Sequence, residues 1–334
     1  DGAAVVRHVA DALGMPAGGS ITGTEVAELS DAALAARIED VDLYARLSPD
    51  QKTRVVRALR ARGHTVGFLG DGVNDAPAIH AADVGLSVEG ATDVAREAAD
   101  MIMLERNLDV LADGVEEGRR TFANILKYVR MATSSNFGNM LSMALASIFL
   151  PFLPLTPIQV LLNNLIYDLS EIGIPFDRVE AAEVARPRAW DMGEILRFTA
   201  VMGGVSSLFD MATFAILLFT FGATPDLFRT AWFLESIATQ ILVIFIIRTH
   251  ASAWTSRPHP VLLATSLTAL AAAPVLVLSP IAGVLGFVAM PSGLAVAIAA
   301  IVLAYLACAE VAKRWADRPD RGNSGRQEPH LPGI

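Results

Sequence analysis

Hydrophobic and polar positions divide this 334-residue chain into two stretches of different period. From residue 1 to about 130, short apolar runs alternate with charged segments of helical spacing, the pattern of a parallel sheet with helices on its faces. Asp42 to Arg46 reads as a strand. Ser48-Pro49-Asp50-Gln51 then opens a helix: Ser48 caps, Pro49 suits the first helical position, and Gln51 completes a capping box. That helix carries Lys52, Val55, Val56 and Leu59 and stops near Gly63, a residue suited to follow a helix C-cap. Thr65 to Leu69 reads as an apolar strand, and Gly70 to Asp75 as the loop after it. A short helix, a strand over 84–88, a helix over 92–99 and a strand over 101–104 follow.

From Leu108 the pattern becomes one long amphipathic helix through Arg119, Phe122, Ile125 and Tyr128. No Gly or Pro interrupts it between Arg119 and Phe137, and it runs into an apolar stretch, as a stalk entering a membrane would. Six apolar segments, near 132–150, 157–175, 198–221, 230–247, 260–278 and 292–312, are each expected to cross about 30 Å of hydrocarbon. Basic residues test the topology. Arg178, Arg186, Arg188 and Arg197 fall in the second connection, Arg248 and Arg257 in the fourth, and Lys313, Arg314 and Arg318 after the sixth. The first and fifth connections carry none and the third only Arg229. Both chain ends and the soluble unit are therefore expected in the cytoplasm. The expected organisation is a soluble part over 1–130 with the stalk, a membrane part over 131–315 and a disordered tail over 316–334.

Composition agrees with a membrane part: mean hydropathy is +0.46. The net charge of -9 and the lack of a basic stripe argue against a nucleic-acid partner. Cys308 is the single cysteine, so no disulfide can form within the chain. The first residues show no signal peptide.

The loop Gly70-Asp71-Gly72-Val73-Asn74-Asp75-Ala76-Pro77 follows a strand and precedes a helix, where α/β sheets bind substrates. Its glycines permit a tight turn and close approach of a ligand. Asp71 and Asp75 offer hard oxygen ligands of the kind Mg²⁺ takes together with phosphate oxygens and water. Lys52 brings a positive charge suited to a transferring phosphoryl group.

The segment GDGVNDAP resembles the hinge motif of P-type ATPases, whose phosphorylation domain is haloacid-dehalogenase-like with a Rossmann-type parallel sheet. The likeness extends from Asp1 to about Trp315. It includes Leu47-Ser-Pro-Asp-Gln-Lys52, Ala98-Ala-Asp100, Glu117-Gly-Arg-Arg-Thr-Phe-Ala-Asn124 and Ser134-Ser-Asn-Phe-Gly-Asn139. Phe149-Leu-Pro-Phe-Leu-Pro154, Asn164-Leu-Ile-Tyr-Asp168 and Ile174-Pro-Phe-Asp177 point to the bacterial magnesium-transporting subfamily. The resemblance implies an α/β part followed by a six-helix transmembrane bundle in the bacterial inner membrane. It implies that Asp71 helps bind catalytic Mg²⁺, that Asn74 and Asp75 support site and hinge, and that Lys52 contacts the phosphoryl group. It also implies ATP as the energy source and Mg²⁺ movement into the cytoplasm. The family's phosphorylated Asp-Lys-Thr-Gly-Thr motif is absent from this sequence, and Asp1 matches the end of a Thr-Gly-Asp motif. The expectation is a C-terminal fragment that needs the N-terminal part of a pump and is inactive alone. A non-catalytic remnant, a regulatory partner of a complete pump, and a Ca²⁺ pump remain alternatives.

Polar side chains inside apolar spans mark the candidate ion path. Asn164, Asp168 and Glu171 are spaced to share one helical face, as are Asn136 and Asn139. Carboxylate and amide oxygens suit Mg²⁺ or Ca²⁺ rather than Cu or Zn. In the family, positions matching Asn136, Asn139, Asn164 and Asp168 line the transport site. Asp210, mid-span beside Ser206 and Ser207, stays undecided between a supporting acid and a local serine partner. Glu235 and Glu310 read as solvated near span ends, Cys308 as an apolar filler, and Met140 and Met143 as packing residues. His64 and the pair Arg119 and Arg120 read as surface.

Overall fold

The computed structural model describes residues 2–15, 18–105, 107–185 and 187–317. The expectations for Asp1, Arg186, Arg318 and the tail beyond residue 317 lie outside the described residues. The chain splits into two compact units, Asp1–Val115 and Glu116–Ile334.

In the first unit, α1 (Ala3–Ala12) precedes β1 (Gly19–Thr22), α2 (Gly23–Glu28), α3 (Asp31–Arg37) and β2 (Val41–Ala45). β1 and β2 pair in parallel. Ile21, Val26, Leu34, Ile38, Val41 and Val55 form the core beneath them. Next comes α4 (Pro49–Ala61), which begins with the anticipated capping box between Ser48 and Gln51. It ends before Gly63, whose φ of 91° only glycine adopts freely. A second parallel sheet holds β3 (Gly67–Leu69), β4 (Val84–Val88) and β5 (Met101–Met103) in that order. The short helices α5 (Ala76–Ala81) and α6 (Asp93–Ala98) make its connections. The parallel strands with intervening helices agree with the sequence pattern. The elements before β2, α1 among them, were not anticipated from the pattern.

α7 (Asp109–Phe149) is a single 41-residue helix. After it come α8 (Pro157–Glu171), α9 (Ala181–Val184), α10 (Met192–Ala215), α11 (Pro225–Ile247), α12 (Pro260–Leu278) and α13 (Ser292–Ala316). A π turn, Ile216–Thr220, extends α10. Among the described residues, four helices are long and apolar enough to cross a membrane: Met192–Thr220, Pro225–Ile247, Pro260–Leu278 and Ser292–Ala316. The other two expected spans fall on the second half of α7 and on α8. α8 has 15 residues, which at about 1.5 Å each is shorter than the hydrocarbon layer. It stops at Glu171, and a 3-10 turn, Ile174–Phe176, replaces the expected last turns.

α11 is the central helix of this unit: 78% of its apolar window is buried, against 28–39% for the other three. Phe214 of α10 packs tilted against Phe228 and edge-on to Trp232, both on α11. α7 and α10 approach closely where Gly203 faces Gly138, for a Cβ on Gly203 would lie 2.6 Å from Phe137. Small residues at such crossings allow helix backbones to pack in lipid.

Candidate phosphate loop and membrane ion face

Two sets of candidate residues fall one in each unit. In the first unit, β3 delivers the loop that begins at Gly70. The Gly70 backbone is tied to β4 through its N–H to Leu86 O at 3.1 Å and by Ser87 Oγ donating to its carbonyl at 2.8 Å. A Cβ on Gly70 would meet Asp75 Cβ at 2.5 Å, so the loop folds back on itself only with glycine there. Asp75 is buried and accepts from Lys52 Nζ at 2.5 Å and from Gly72 N at 3.3 Å. Burial pushes its carboxyl up, and the Lys52 ammonium with the Gly72 and Asp71 amides outweighs that, holding it below the ordinary carboxylate range. Asp71 and Asn74 are exposed. The Asp71 carbonyl accepts from Thr92 N at 3.0 Å, which fixes the backbone and leaves its carboxylate facing out. Lys52 and Asp75 are thus brought together, and Asp71 and Asn74 stand at the loop surface. Among the described residues no cluster of three His, Cys, Asp or Glu side chains is arranged to hold a metal. One outward carboxylate still fits Mg²⁺, which takes one or two protein carboxylates and completes its shell with phosphate and water.

In the second unit, the expected face of α8 divides. Asn164 and Asp168 are exposed, whereas Glu171 is 4% exposed and has a buried oxygen, Oε1, without a partner. On α7, Asn136 is exposed and Asn139 half-buried. Asp168 and Glu171 line a cavity of about 430 Å³ together with Asn124, Ile125, Tyr128 and Pro175. Asn139 points elsewhere: its Oδ1 accepts from Ser236 Oγ at 3.3 Å, and Ser236 in turn accepts from Asn163 at 3.4 Å and Gln240 at 2.6 Å. This buried amide and hydroxyl chain joins α7, α8 and α11.

Several expectations change. Glu235 is not solvated; it is 1% exposed. α11 starts at Pro225 rather than near 230, which carries Glu235 about three turns into the helix. Asp210 is buried as well, accepting from Ser142 Oγ at 2.5 Å and Trp232 Nε1 at 2.8 Å. Its partners therefore lie on α7 and α11, and not among the serines of its own helix, of which Ser207 donates to Gly138 O at 2.9 Å. Glu310 is half-buried and bonded by Lys313 at 3.1 Å. Cys308 and Met140 are exposed rather than packed, while Met143 does pack against the core. His64 is half-buried, 3.7 Å from Glu39, and Arg119 donates to Val184 O at 3.2 Å.

Asp177 also matters more than its sequence setting revealed. Its carboxylate meets Lys127 Nζ at 3.2 Å and Arg248 Nη1 at 3.7 Å, and it accepts from His259 N at 3.2 Å. Sequence spacing offered no sign of this, because the partners lie on three separate elements. The α11 chain did leave a signal: Glu235, Ser236, Thr239 and Gln240 form a polar stripe at helical spacing inside an apolar span.

The family profile described as cation transporting ATPase, C-terminus, matches residues 152–315. Two relatives named magnesium-transporting ATPase, P-type 1, align over nearly the whole chain. The one from Salmonella typhimurium (strain LT2) is 43% identical over 95% of this chain, and the one from Escherichia coli (strain K12) is 41% identical over 95%. The chain belongs to the cation-transporting P-type ATPases. A calcium-transporting ATPase of Bacillus subtilis is 33% identical over 73% of the chain and 28% of its own length. This P-type ATPase chain spans about a third of the length of its magnesium-transporting relatives, 36% in both. With four apolar helices of spanning length, it is a multi-pass membrane protein.

Proposed function

We propose that this chain is the C-terminal part of an ATP-driven pump that moves Mg²⁺ across the bacterial inner membrane into the cytoplasm. The other part of such a pump would bring the phosphorylated Asp and most of the ATP site. In this reading the first unit is the end of a haloacid-dehalogenase-like phosphorylation domain. The second unit, with α7 and α8 counted, supplies six membrane helices, both chain ends being cytoplasmic. The bundle begins near residue 131.

The observation that carries the reading is Asp168, a carboxylate left exposed on α8 with Asn164 one turn away and Asn136 exposed on α7. A bare carboxylate at membrane depth costs about 3 kcal/mol on insertion scales, so it marks a site that another group covers. Hard oxygen ligands with a single full charge on this face favour a partly hydrated Mg²⁺. The alignment to magnesium-named relatives over 95% of the chain, against 73% and 44% for calcium-named ones, supports the same choice.

When bound, ATP and its Mg²⁺ supply the phosphoryl group and part of the charge that its transfer requires. Asp71 would hold the metal through its outward carboxylate. Lys52, kept in place by Asp75, would offset phosphoryl charge, and the Gly70–Gly72 turn would let the backbone come close. Asn74 would add a hydrogen bond at the loop surface. α7 runs unbroken from Asp109 past Asn136, so a rotation imposed at its start would reach the ion face.

The test is the full-length pump in lipid vesicles. Asp168→Asn should abolish Mg²⁺-stimulated ATP hydrolysis with the protein still folded and inserted; hydrolysis at unchanged ion affinity would sink the site. Asp71→Ala should block phosphoenzyme formation and spare ion binding in the membrane. Normal phosphoenzyme levels would remove Asp71 from its role.

A further inference from the structure

Within the second unit two carboxyl groups meet without a positive charge beside them. Asp210 on α10 is 3% exposed and Glu235 on α11 is 1% exposed. Both Asp210 oxygens already accept a hydrogen bond, Oδ2 from Ser142 on α7 and Oδ1 from Trp232 on α11. The Glu235 carboxyl lies within hydrogen-bonding reach of the same Asp210. Its Oε2 is buried with no partner. Tyr305 on α13 stands close to both acids and bonds Ser206 of α10. Among the described residues, no Lys, Arg or His pairs with either carboxyl.

An ionised carboxylate only accepts hydrogen bonds. A bond between two carboxyl groups therefore needs a proton on one of them, and two bare carboxylates in contact in a dry core repel strongly. The donors choose the member. Asp210 takes the seryl hydroxyl and the indole N–H, which stabilise a charge, whereas Glu235 has Asp210 alone. A metal ion is disfavoured here, since both of those donors turn their positive ends toward Asp210 and only two carboxyls converge.

We propose that Asp210 and Glu235 form a proton-binding site inside the membrane bundle, in which Glu235 carries one proton and donates it to the Asp210 carboxylate. The pair holds a single negative charge. Release breaks the Glu235 O–H bond and passes the proton to water, so it requires α10 and α11 to part and admit water. The site is separate from the Asp168 face and stands independently of which ion that face takes.

Infrared difference spectroscopy of the full-length protein in lipid vesicles, in H₂O against D₂O, tests it. A protonated carboxylic acid gives a C=O stretch that shifts in D₂O. One such band should vanish in Glu235→Gln and persist in Glu310→Gln. In Asp210→Asn it should move, because the acceptor of the bond has changed. Persistence of the band in Glu235→Gln would overturn the proposal. So would its loss from the wild type on adding Mg²⁺ alone, which would make the pair a cation site. If Glu235→Gln does not accumulate in the membrane, the wild-type band and its response to Asp210→Asn decide: a shifted band supports the site, and an unmoved or absent band removes it.

Discussion

In the first unit the ion pair Arg62–Glu39 leaves both side chains 43% exposed, and Arg60–Asp83 leaves 45% and 30%. In the second, Lys127–Asp177 leaves 7% and 0%, and Arg248–Asp177 leaves 1% and 0%. The same residue types thus do different physical work. Exposed pairs are screened by water and salt and contribute little. Buried pairs are bound to one geometry, because removing one partner strands a charge in the dry interior. Asp168 follows neither pattern: it sits in the second unit, yet it is exposed. It is left open, whereas Asp177, Asp210 and Glu235 are closed over.

The strongest way to break this contrast is Asp177→Ala. It leaves Lys127 and Arg248 buried without their acid, and the loss should be about 3–5 kcal/mol. Thermal denaturation of the protein in detergent should show a large drop, or the variant should fail to accumulate in membranes. Arg62→Ala in the first unit should cost no more than about 1 kcal/mol. Equal losses for the two would mean that burial does not separate the units.

A smaller effect sharpens the contrast between neighbours on α8. Asn163 is buried and bonded to Ser236, while Asn164 is exposed beside Asp168. Asn163→Leu should lower stability by about 1 kcal/mol, the scale of a helix-bridging hydrogen bond in a membrane. Asn164→Leu should leave stability unchanged and impair Mg²⁺-stimulated hydrolysis. Reversal of these two outcomes would turn the ion face inward.

Much of the first unit was legible because its signals are local. Ser48 and Gln51 announce α4, and Gly70 to Asp75 announce the loop, with every needed residue within a few positions. The pairing of Lys52 with Asp75 was not legible, since their 23-residue separation says nothing about distance. In the second unit, hydropathy marked the apolar stretches but not their ends. Starting α11 five residues late put Glu235 in solvent. Extending α8 past Glu171 hid the break before the Ile174–Phe176 turn. Periodicity grouped Glu171 with Asp168, but packing turned Glu171 inward with only two residues between them. What sequence spacing cannot supply is the partner on another helix, and Asp177, Asp210 and Ser236 all depend on one.

The smallest effect concerns Asp75, where the first unit comes closest to burying a pair. Its carboxyl titrates below the usual range because Lys52 and two amides outweigh burial, so the unfolded chain binds that proton more tightly than the folded one. The stabilisation is complete above the ordinary Asp value of about 4 and disappears as pH falls through the lower folded value. Lys52 is 33% exposed, so solvent screening limits the contribution to about 1 kcal/mol or less. Hydrogen exchange of α4 in the full chain, followed from about pH 6 down to pH 3, should quicken in the wild type relative to Asp75→Asn. The difference should shrink in 1 M salt, where the Debye length is about 3 Å. A wild type and variant that lose protection in parallel would mean that Lys52 is held by something other than Asp75, and the loop would need another explanation for its poised ammonium.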